Sequence, residues 1–123
     1  MATILLIDDH PDVRDVMSRL LQSYGHQVDV CDDAEMAMEL LAGQMPDVVV
    51  VDDRLPGMSG MDFLCATRRN QRTSALPVIL MSADPARSKE AVQAGAADFW
   101  LKGASELMDR MAHLTDRIGG TKP

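Results

Sequence analysis

A chain of 123 residues, 46% hydrophobic and 25% charged, has room for one ordinary domain with a real core and none for a second globular unit. Its formal charge of −7 argues against nucleic acid or an anionic membrane as the main partner. Two cysteines in no metal-binding spacing, no charged-then-apolar leader and no bilayer-length apolar stretch point to a reduced, cytoplasmic protein.

Thr3 to Ile7 is a near-continuous apolar run, read as a strand, and it ends in Asp8 and Asp9. Pro11 suits the first turn of a helix and Asp12 its positive end. Val13, Met17, Leu20, Leu21 and Tyr24 then repeat at helical spacing, and Gly25 closes the segment. In HQVDVCD, Val28 and Val30 alternate with polar neighbours, the pattern of an edge strand. A second helix, Ala34 to Ala42, turns Ala37, Leu40 and Leu41 inward and stops at Gly43.

The centre of the chain is DVVVVDDRLPGMSG. Val48 to Val51 are β-branched and too few for a buried helix, so they form a strand covered on both faces. Asp52 and Asp53 stand at its end. Because side chains alternate along a strand, these two cannot both point into one crevice. Ser59 caps a third helix to about Asn70, with Phe63, Leu64 and Thr67 on or beside its buried face. Arg68, Arg69 and Arg72 cluster near its C-terminal end, where cations complement the dipole.

Pro77 opens PVILMSA, a fourth strand ending at Ser82 and Ala83. Residues 85–94 make a short helix stopped at Gly95, and Ala97 to Leu101 a fifth strand ending at Lys102 and Gly103. Leu107, Met111, Leu114 and Ile118 mark a last helix. The domain is expected over 1–118, with GGTKP, 119–123, a frayed tail or the stub of a linker. Of the ten methionines, only Met58 and Met61 suggest partner contact, the rest being core filler. His10 reads as solvated, and His26 and His113 have no partner in view.

Strands alternating with helices predict an α/β fold, a single doubly wound (βα)5 parallel sheet of flavodoxin-like type. The order 2-1-3-4-5 puts the mixed second and fifth strands at the edges and the wholly apolar ones inside. Its topological switch falls between the first and third strands, so Asp8, Asp9 and Asp52 converge there. At ~4 Å and an effective dielectric near ~20, each pair of like charges costs roughly 4 kcal/mol. Such a cluster calls for a hard divalent cation held by oxygen, Mg²⁺ above all. With Lys102 as a second positive charge and Ser82 as a hydroxyl donor, the strand ends suit the charged oxygens of a phosphoryl group.

Over essentially its whole length the chain resembles the receiver domain of two-component response regulators. The marks are the acidic pair Asp8-Asp9, the D-x-x-x-P pattern from Asp52 to Pro56 with Gly57 and Gly60, Ser82-Ala83, and Lys102. Chemotaxis members of that family have the strand order given above. The resemblance implies that Asp52 is the phosphoacceptor, attacking the phosphorus of a phosphohistidine on a sensor histidine kinase or histidine phosphotransfer protein. It implies Mg²⁺ held by Asp9, Asp52 and the Arg54 carbonyl, with Asp8 acting mostly through water. Ser82 and Lys102 would meet the phosphoryl oxygens. Movement of Ser82 would make room for Phe99, the switch aromatic, to turn inward. The surface of helix four, strand five and helix five would then change for a downstream partner. The expected protein is a switch rather than an enzyme, monomeric or weakly dimeric, with no direct contact to nucleic acid or membrane.

The sequence departs from that pattern in places. Asp53 stands where the family is usually apolar, and solvation at the strand end is the preferred account, with a back-up acceptor role a poor second. Gly103 replaces a common proline, so no cis Lys-Pro peptide is expected; a looser loop before the last helix, or an altered Lys102 position, should follow. Trp100 on the edge strand is a partner anchor or packs against a flanking helix. Arg54 and Asp84 flank the site and bear on how water reaches an acyl phosphate.

Two other classes compete. A pseudo-receiver would bind partners without phosphate, but no site residue is missing. An aspartate-nucleophile phosphohydrolase would need its second carboxylate aimed into the site, and Asp53 is adjacent and faces away.

Overall fold

A computed structural model describes residues 2–114. The expected boundary at 118, Ile118 itself and the tail 119–123 lie outside the described residues.

Five parallel strands form one sheet in the order β2-β1-β3-β4-β5. They are β1 (Thr3–Ile7), β2 (Gln27–Cys31), β3 (Val48–Asp52), β4 (Val78–Ser82) and β5 (Asp98–Leu101). The helices between and after them are α1 (Pro11–Ser23), α2 (Ala34–Gly43), α3 (Gly60–Arg69), α4 (Arg87–Gln93) and α5 (Leu107–Ala112). Every residue of β3 and β4 is buried, as apolar runs in a sheet covered on both faces require. At the open edge, β2 buries only Cys31 fully.

Alternation divides the core in two. Leu5, Ile7, Val49, Val51, Val78 and Leu80 pack with α2, α3 and Ala91 of α4. Ile4, Leu6, Val48, Val50, Ile79 and Met81 pack with Met17 and Leu21 of α1 and Met111 of α5. Trp100 belongs to this second cluster and is fully buried, its indole donating to Asp98 Oδ2 at 3.1 Å. Of the two roles expected for it, packing is therefore the one it fills.

Local signals set the helix starts. Ser59 Oγ accepts Asp62 N–H and Asp33 Oδ1 accepts Met36 N–H, each a side-chain N-cap. The arginines near the end of α3 donate to backbone carbonyls, Arg68 to Gly95 and Arg72 to Leu41.

Several inward assignments need correcting. Leu40, expected inward with Ala37 and Leu41, is 43% exposed while those two are buried; Val13 is 37% exposed, and Tyr24, also 37% exposed, is the C-cap that follows α1. Met61 is core, buried beside Phe63, and so is packing and not a partner contact, while Met58 is partly buried against the same cluster. Helix α4 starts at Arg87, since Asp84 to Ala86 are spent on a turn. His26 Nδ1 accepts Ala2 N–H at 3.0 Å, and His113 Nδ1 lies 3.3 Å from Asp109 Oδ1. Among the described residues no helix is long and apolar enough to cross a membrane.

Candidate functional site

Register brings the chemistry together. Ile7 lies opposite Val51, so the residues that follow, Asp8 and Asp52, meet at the C-terminal edge of the sheet. Ser82 lies opposite Leu101, and Lys102 N–H donates to the Ser82 carbonyl at 2.8 Å, which carries Lys102 to the same edge. There Lys102 Nζ donates to Asp52 Oδ2 at 2.9 Å and stands 3.4 Å from Asp8 Oδ2. Asp8 is 0% and Asp52 3% exposed. Burial pushes the Asp52 carboxyl above the ordinary carboxylate range. The Lys102 hydrogen bond and charge act against that rise, the Asp8 charge adds to it, and the Arg54 N–H opposes it.

Asp8, Asp9, His10 and Asp52 each offer a ligand atom within 4.8 Å of the others. Asp8 Oδ2 and Asp9 Oδ1 are buried and make no hydrogen bond. Lys102 and His10 stand beside them at ion-pair distance only. Three carboxylates facing one ammonium leave two negative charges uncompensated, and oxygen donors in that number fit a small, hard divalent cation. His10 is the member that sequence reasoning left out. Its ring is 61% exposed, yet Nδ1 lies 3.3 Å from Asp8 Oδ1 and 3.2 Å from Asp9 Oδ1. Its place directly after the acidic pair was the available signal.

Ser82 is buried, and its hydroxyl accepts the Asp84 N–H at 3.1 Å, which leaves the hydroxyl proton to be donated. Arg54 follows Asp52 in the turn with its side chain exposed. Asp84 Oδ1 accepts Ala86 N–H at 2.9 Å and so shapes the turn after β4. Phe99 is half-buried and lines a cleft of about 290 Å³ with Pro85, Ser88, Leu107 and Arg110.

Asp53 is not solvated, contrary to expectation. It is 9% exposed, and it is not among the residues of the carboxylate cluster, as alternation along the strand end requires. Arg87 Nε donates to its Oδ2 at 2.9 Å, and Met61 N–H donates to its Oδ1 at 3.2 Å. A charge at a strand end can stay buried when a helix supplies both a counter-ion and an N–H, and here α4 and α3 supply them.

Two glycines hold special positions. A Cβ on Gly60 would run into the Asp52 carbonyl oxygen and come within 2.8 Å of Asp53 Cα, so the start of α3 can lie against the site only without a side chain. Gly103 has φ +79°, which a proline ring forbids. The peptide bonds of the described residues are all trans, and Lys102 still reaches Asp52. The Gly103 substitution therefore leaves the ammonium in the site.

Residues 4–112 match the family model described as the response regulator receiver domain. The chain is 32% identical to the chemotaxis protein CheY of Pseudomonas aeruginosa over 122 residues, covering 95% of this chain and 98% of that one. It is 38% identical to the sensory/regulatory protein RpfC of Xanthomonas campestris pv. campestris over 117 residues, covering 90% of this chain, and it spans 16% of the length of that relative. The structure of response regulator protein TrrA from Thermotoga maritima, in complex with Mg(2+)-BeF, superposes with a TM-score of 0.83 at 23% identity, covering 96% of this chain and 99% of that one. At that identity the likeness is one of fold.

Proposed function

The chain belongs to the response regulator receiver domain family, and on that premise we propose that it is a phosphorylatable switch with Asp52 as its acceptor. Receiver domains are phosphoacceptors that take the group from histidine kinases and signal to downstream partners; they are not turnover enzymes. Here an Asp52 carboxylate oxygen forms the bond to phosphorus. The N–P bond of the phosphohistidine breaks, and its electron pair returns to the imidazole nitrogen. Lys102, already 2.9 Å from Asp52, neutralises charge on the transferred group. Ser82 donates its hydroxyl proton to a phosphoryl oxygen. Asp8, Asp9, Asp52 and the Arg54 carbonyl would hold Mg²⁺, which when bound supplies positive charge to the phosphoryl oxygens. The phosphoryl group carries about −1.5 to −2 charges in place of the single negative charge of the free carboxylate. That charge biases a two-state equilibrium in which Ser82 and Phe99 move and the α4-β5-α5 face changes for a partner.

The observation that carries this reading is a buried aspartate under a lysine ammonium, with two further carboxylates that each hold one buried oxygen making no hydrogen bond. The same geometry speaks against a phosphohydrolase. Asp53, the only adjacent carboxylate, is engaged by Arg87 on the far face. Incubation with acetyl phosphate and Mg²⁺, followed by intact-protein mass spectrometry, should add one phosphoryl group to the wild type and none to Asp52→Asn. Equal labelling of the two would end the assignment of Asp52.

A further inference from the structure

We propose that the Asp53–Arg87 pair is a latch: it holds the start of α4 against the phosphoacceptor strand and opposes the phosphorylated arrangement. The proposal rests on the reading of Asp52 as phosphoacceptor and deepens it to the regulation of that site.

Asp53 is a fixed anchor. Its N–H donates to the Met81 carbonyl at 2.8 Å and its carbonyl accepts Gly60 N–H at 3.0 Å. Its carboxylate also holds Met61 N–H. The residue after Asp52 is thereby tied to β4 and to the first turn of α3. Arg87 contributes the other half, with Nε 2.9 Å from Oδ2 and Nη2 3.3 Å from Oδ1, while its Nη1 donates to Glu90 Oε1 at 2.6 Å.

The link from this pair to the site is a single turn. Ser82 Oγ accepts Asp84 N–H, and the Asp84 carbonyl accepts Arg87 N–H at 3.1 Å. A Ser82 hydroxyl drawn toward a phosphoryl group on Asp52 therefore pulls on Asp84 and, through it, on Arg87. Pro85 and Ser88, on either side of that arginine, line the cleft with Phe99. Moving Arg87 off Asp53 would strip a buried carboxylate of its counter-ion, which is costly. The pair thus favours the unphosphorylated arrangement.

Beryllofluoride with Mg²⁺, titrated into the intact chain and followed by fluorine NMR, tests this by linkage. Asp53→Asn keeps an acceptor for Met61 N–H, and Arg87→Gln keeps most of the side chain's bulk. Each should bind beryllofluoride about 5–10-fold more tightly than the wild type, the size of a typical coupling between sites. The double variant should gain no more than either single one, because both remove the same contact. Thermal melts of all three report whether they fold. Unchanged or weaker affinity in the folded variants, or gains that simply add, would overturn the latch while leaving the phosphoacceptor reading in place. Failure of the wild type to bind in the presence of Mg²⁺ would bring down both.

Discussion

Gly60 carries no chemistry, yet the backbone of Asp52 and Asp53 lies where its side chain would go. The obstacle is main chain, which cannot swing aside as a flexible side chain can. Gly60→Ala should therefore cost about 1–3 kcal/mol of stability, the range for overpacking a close contact, with the turn after Asp52 displaced. Denaturant unfolding would measure the first effect, and slower phosphoryl uptake from acetyl phosphate the second. Unchanged values in both would mean that α3 can move away from the strand without consequence. Cys31 marks the opposite kind of residue. It is buried, donates to the Asp33 carbonyl, and burial pushes its thiol upward, so it is packing and not a reactive group.

Among the elements, β2 is held at its start by His26, which is 8% exposed and accepts the Ala2 N–H through Nδ1. That hydrogen bond needs the neutral ring. Burial accordingly lowers the His26 pKa below its ordinary 6.5. Below pH 6.5 the unfolded chain takes up this proton before the folded one does. The contribution of His26 is thus fully present above 6.5 and is lost as pH falls toward and through the folded value. Urea unfolding across this range should show stability rising with pH up to about the unfolded value. His26→Gln should remove that part of the slope. An identical slope in the variant would place the titration elsewhere.

Taken whole, the molecule carries a formal −7 and gathers three of its carboxylates at one edge of the sheet. A divalent cation that binds this folded cluster stabilises the fold by mass action, by about 2.7 kcal/mol at one hundred times its Kd. For a domain of this size each kcal/mol moves the midpoint by a few degrees. A thermal scan should show Mg²⁺ raising the melting temperature of the wild type and raising that of Asp9→Asn much less. No shift in either would remove the cation from the site.

The amino-acid sequence by itself determined the elements, their order in the sheet and the meeting of Asp8, Asp9 and Asp52 at one edge, with Lys102 beside Asp8 and Asp52. Strand identity depends on local apolar runs, and parallel strands necessarily bring their C-terminal residues to one edge, so a linear pattern is sufficient for both. Partners far apart in the chain were decided by tertiary structure alone. Asp53 meets Arg87 across 34 positions, and nothing local distinguishes an arginine that opens a short helix from one in water. The burial of Trp100 and the exposure of Leu40 belong to the same class. Each depends on how helices pack across the sheet, a property of the closed fold and not of any one stretch of it.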